Sequence, residues 1–178
     1  MNRCTDVTDP MDTLTVWRFA TPEAADAALP LIVTTVAEGH ADVDDAALVS
    51  WPPGRRKPSA RALGGLAHPG RLWGGFWGLL LGLIFLTPLA GPTFGAAAGA
   101  LAGCLSDFGV EDHFVRDVRV AVTAGSSAVF VVSTATSAER LARALAALDV
   151  QTLSTRLSPE QEKRLRYALG EESTQGAP

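Results

Sequence analysis

Asp107-Phe108-Gly109 spells the metal-binding triplet of protein kinases. The chain carries no glycine-rich nucleotide loop, strand lysine or catalytic-loop motif to go with it, so the triplet is read as chance. Glu111, Asp112 and His113, with Asp107 nearby, offer oxygen and nitrogen donors of the kind that hold a metal ion. A metal needs its donors to converge, and consecutive helical residues point in different directions. An acidic first turn, favoured by the helix dipole, accounts for them instead. No GxGxxG follows a strand and no glycine loop ends in Gly-Lys-Ser/Thr, so no nucleotide site is read. Ser126 and Ser127 lack a nucleophile elbow, and His40 and His68 stand singly beside Gly39 and Pro69. Cys4 and Cys104 lie in unlike surroundings and read as unpaired thiols. The expectation is a non-enzymatic protein with no catalytic residue, no cofactor, no metal and no evident small-molecule substrate.

The spacing that does stand out serves association rather than reaction. From Leu72 to Ser106 the chain has no charged residue. Gly70, Gly74, Gly78 and Gly82 recur every fourth residue, and so do Gly91, Gly95, Gly99 and Gly103. Four residues make about one helical turn, so each set draws a side-chain-free stripe down one helix face. Glycine costs roughly 1 kcal/mol per site against alanine inside a helix, which close backbone packing must offset. Gly-x-x-x-Gly on an apolar helix is a known association pattern. Pro88 and Pro92 stop one helix and start the next. A glycine-zipper helical hairpin is therefore expected over residues 70–106.

The remaining elements must position this hairpin. Residues 1–12 read as a disordered tail without a secretory signal, and 171–178 as a loose tail. Leu14–Phe19 alternates as a first strand. Thr21-Pro22-Glu23 opens a helix to about Ala37, with Pro30 placed to kink or split it. Asp45–Trp51 reads as a second strand. After the hairpin, Phe114, Val115, Val118 and Val122 mark a short amphipathic helix. Ala128–Val132 is an unbroken apolar run, the mark of a strand buried on both faces. Thr136-x-x-Glu139 reads as a capping box, Val150–Thr155 as a last strand, and Ser158-Pro159-Glu160-Gln161 as the cap of a final helix. The order gives an α+β, ferredoxin-like (split βαβ) sandwich spanning 13–170, one domain interrupted by the hairpin.

Arg55, Arg56, Lys57 and Arg61 form a basic run ahead of the hairpin, with Arg71 at its edge. They read either as a solvated loop or edge strand, or as a positive cluster facing anionic head groups. Trp73 and Trp77 suit a membrane interface or packing against the αβ domain. The net charge of -4 argues against a nucleic-acid partner.

At this point the chain resembles the family catalogued as domain of unknown function 1269, whose bacterial and archaeal members are often labelled membrane proteins. The resemblance rests on the glycine-rich hairpin, on Phe108-Gly109-Val110-Glu111-Asp112-His113-Phe114-Val115, and on Gly125-Ser126-Ser127-Ala128-Val129-Phe130-Val131-Val132. It covers roughly residues 13–170, implies an αβ domain with a helical hairpin and no established enzymatic activity, and supplies no catalytic residues.

Three surroundings compete for the hairpin. It enters a bilayer, it packs on its own chain, or it bundles with other copies. The first helix, Leu72 to Leu86, makes about 22 Å. A bilayer core of about 30 Å wants about twenty residues, so a re-entrant hairpin fits lipid better than two full spans. The leading expectation is a membrane-associated homo-oligomer with a cytoplasmic αβ domain, its partners being itself and the lipid bilayer. The alternative is a cytoplasmic, soluble oligomeric scaffold or stress-related interaction module whose hairpins form a protein core.

Overall fold

The computed structural model describes residues 12–63, 75–86 and 110–157. The elements run β1 (Asp12–Phe19), α1 (Ala24–Ala37), β2 (Val43–Trp51), β3 (Ser59–Ala62), α2 (Gly75–Leu86), α3 (Asp112–Ala121), β4 (Ser126–Thr134), α4 (Ala135–Ala144) and β5 (Val150–Arg156). A single 3-10 turn, Leu145–Ala147, extends α4. The tails, the final helix expected after Ser158 and the second hairpin helix lie outside the described residues.

All five strands form one antiparallel sheet in the order β3-β2-β4-β1-β5. Strands β1 and β2, joined through α1, are parallel with β4 between them. Strands β4 and β5, joined through α4, are parallel with β1 between them. Strand β4 occupies the centre because its sequence leaves no face for water: every residue from Ser126 to Ser133 is buried. Ala128, Phe130 and Val132 enter one apolar cluster with α2 and α3. Val129 and Val131 enter the other, with Ala25, Ala28 and Ile32 of α1 and Leu141 of α4. The sheet thus lies between two helical layers.

The strand phases follow from alternation, with one interruption. In β1, Leu14 and Val16 face the α2–α3 layer while Trp17 and Phe19 face α1 and α4. In β2 the register passes from Val43 opposite Ser133 to Asp45 opposite Val132, leaving one extra residue at Asp44. This bulge re-phases the strand. Val43 therefore shares a face with Ala46 and Leu48 instead of with Ala47 and Val49.

Two helix starts differ from the sequence expectation. Helix α1 begins at Ala24, and the hydroxyl at its start comes from Ser127 of β4 rather than from Thr21. Ser127 Oγ accepts from Ala25 N at 3.1 Å and donates to Thr21 O at 2.6 Å. Helix α4 is capped by Thr134, which accepts from Ser137 N, so Thr136 lies inside the helix and heads no capping box. Pro30 neither splits nor ends α1, which is continuous around it. Strand β3 is the edge-strand alternative for the basic run, with Arg61 within it.

Ser127 is fully buried and ties α1 to the central strand. Ser127→Ala removes a cap, leaves the buried Ala25 N–H without its acceptor and takes one donor from Thr21 O. The expected loss is about 2 kcal/mol, read as a lower urea midpoint at unchanged slope.

Candidate functional site

The first hairpin helix packs on its own chain. Trp77, Leu80 and Ile84 recur at helical spacing and, with Leu83 and Phe85, are buried. They join one cluster with Val16, Val49 and Phe130 of the sheet and Phe114, Val115 and Val118 of α3. The Trp77 ring stands edge-on to Phe130, with centroids 6.2 Å apart. Phe85 meets Trp51 in the same way at 5.8 Å. The tryptophan read for either a bilayer interface or the αβ domain is placed here against the domain.

The glycines fall elsewhere on the helix. At about 100° per residue, Gly78 and Gly82 lie to the side away from Leu80 and Ile84. Gly78 is exposed, and a Cβ built there meets nothing within 4 Å. Helix α2 thus turns Trp77, Leu80 and Ile84 toward the sheet and leaves Gly78 open. Its 12 residues make about 18 Å. No helix among the described residues is long and apolar enough to cross a membrane.

Polar groups that the sequence reading passed over fix α2 in place. Asp45, on the bulge of β2, is 1% exposed. Its Oδ1 accepts from Ala46 N at 2.8 Å. The indole of Trp77 faces the same carboxylate. Burial raises the Asp45 pKa above its ordinary value and neighbouring Asp44 adds to the rise, while Trp77 and the Ala46 amide oppose it. At the far end of α2, Arg119 of α3 donates from Nε to Ile84 O at 3.0 Å and from Nη2 to Leu83 O at 2.6 Å. Those carbonyls lie near the C-terminal end of α2, and a cation there suits the helix dipole. Arg18 of β1 treats α3 likewise, donating from Nε to Ala121 O at 3.2 Å.

The other sequence-marked residues divide clearly. Arg55, Arg56 and Lys57 are exposed in the turn after β2. Trp51 Nε1 donates to Arg55 O at 2.8 Å while its ring meets Phe85, so this basic turn sits beside the C-terminal end of α2. Arg61 pairs instead with Asp26 of α1. Gly70, Arg71, Trp73, Gly74, Gly91, Gly95, Gly99 and Gly103 lie outside the described residues, as do Asp107, His68 and both cysteines. Glu111 and His113 pair with each other at 3.1 Å on the surface, and Ser126 Oγ closes the turn before β4 by donating to Thr123 O. Among the described residues no group of three or more metal-ligating side chains converges.

Residues 71–170, more than half of the chain, match the family described as "Protein of unknown function (DUF1269)", and the chain belongs to that family. The match takes in α2, α3, β4, α4 and β5 and leaves β1, α1, β2 and β3 ahead of it, a narrower extent than the resemblance had covered. Comparison with curated proteins and with solved structures gave no match.

The buried carboxyl sets a pH dependence. A folded-state pKa raised above the unfolded one favours the fold at low pH, and that advantage is lost as pH rises through the raised value. Asp45→Asn lacks this titration but keeps an acceptor for Ala46 N. From pH 4 upward the stability of the variant is expected to gain on the native protein, levelling once the native carboxyl is ionised. Urea denaturation of both across that range reads the difference.

Proposed function

We propose that this chain is a non-enzymatic, self-associating module. In this reading a ferredoxin-like domain presents a glycine-zipper hairpin, and copies join through the smooth side of that hairpin. The observation that carries it is the division of α2: the bulky side is spent on the sheet, while Gly78 stands open. An exposed glycine inside a helix gives up about 1 kcal/mol of propensity, which a close helix contact repays. The interleaved order of β1, β2, β4 and β5 supports the ferredoxin-like description.

This geometry favours the scaffold form over a lipid-embedded hairpin. Drawing α2 into a bilayer would uncover the sheet residues beneath it, among them Val16, Val49 and Phe130. Each large apolar side chain exposed to water costs roughly 1.5–3 kcal/mol. A membrane, where the assembly meets one, is met at its surface. The exposed Arg55-Arg56-Lys57 turn, anchored beside the end of α2, supports that second contact.

Gly78→Ala separates the alternatives by sign. If the smooth side packs against another helix, the methyl group loosens the assembly. Light scattering then shows smaller particles, and the concentration for half-assembly rises about tenfold or more. If that side meets only water, alanine raises stability by about 1 kcal/mol and leaves particle size unchanged, and the zipper reading fails. Recovery of native protein from lysate without detergent is expected alongside. Retention in membranes after a carbonate wash would instead favour the embedded form.

A further inference from the structure

The two edges of the sheet are built differently. Strand β3 is four residues long and carries Arg61, tied to Asp26. Short, charged edge strands resist pairing with another chain. Strand β5 has seven residues, pairs with β1 alone among the described residues, and has no proline and no charge between Val150 and Thr155. Gln151, Thr152 and Ser154 are exposed. A groove opens beside β5 on each face of the sheet. One is lined by Phe114 and Val120 of α3 with Leu153. The other is lined by Thr13, Thr15 and Ala138 with Thr155. Val120, 78% exposed, is the most exposed large apolar side chain among the described residues.

We propose that β5 pairs with β5 of a second copy, antiparallel about a two-fold axis, joining the two sheets into one. The charges at the ends of the strand select this occupant. Asp149 precedes β5 and Arg156 closes it, with opposite signs at opposite ends. Antiparallel pairing brings each Arg156 to the end that holds the partner copy's acid. Registers centred on Thr152 or Leu153 set Arg156 across from position 148 or 150, one residue from Asp149 in either case. Parallel pairing would set like charges together, which is unfavourable. Such an isologous contact uses one patch twice and closes after two copies. It does not involve the glycine side of α2, so it stands or falls apart from the zipper.

Hydrogen exchange of the β5 amides, followed against protein concentration, reads this contact locally. Protection of residues 150–156 is expected to rise with concentration. Asp149→Arg should abolish that rise by setting arginine against arginine, and the exchanged pair Asp149→Arg with Arg156→Asp should restore it. Thr152→Lys, at an exposed site opposite itself or position 154 of the second copy, should also abolish it while leaving the circular dichroism spectrum unchanged. Gly78→Ala should leave it in place. The proposal is overturned if these amides exchange freely at every concentration. It is equally overturned if their protection is independent of concentration and of Asp149→Arg, as cover by the chain's own residues beyond Leu157 would make it.

Discussion

Strand β4 has no side that tolerates water, and the arrangement around it answers that constraint. A strand buried on both faces needs neighbours at both edges for its backbone and a helical layer above and below for its side chains. Strands β1 and β2 supply the edges. Helices α1 and α4 cover Val129 and Val131, and α2 and α3 cover Ala128, Phe130 and Val132. Helix α2 is in this sense part of the domain core, covering one face of the central strand together with α3.

Helix α2 is held by contacts of two kinds. Apolar burial is large but non-directional, and would permit the helix to slide or turn over the sheet. The polar contacts supply direction. Arg119 fastens the last-turn carbonyls, and Asp45 places a buried carboxyl opposite Trp77. Asp45 shares the alternation of Ala47 and Val49 and so faces the α2 side, while the bulge at Asp44 sends Val43 to the other face. The side of α2 bearing Gly78 is consequently fixed in orientation relative to the sheet.

The same economy appears at helix ends. Ser127 of β4 caps α1, Arg119 of α3 caps α2, and Arg18 of β1 caps α3. Each cap is supplied by an element distant in sequence. Helix ends and sheet therefore stabilise one another, and local sequence around a helix start says little about who satisfies it. This is why Thr21 was a natural candidate for a cap that Ser127 in fact provides, whereas the cap of α4 is local and moves only from Thr136 to Thr134.

The sequence by itself determined the elements whose signal is periodic. These were the alternation of β1, the apolar run of β4 and the stripe of α3. Only the tertiary structure decided which side of α2 is spent, since the helix carries bulky residues around most of its circumference and periodicity cannot choose among them. The roles of Asp45, Arg119 and Ser127 were likewise invisible in the chain. Each acts on a partner brought near by packing, and a single polar residue carries no mark of the buried group it will meet.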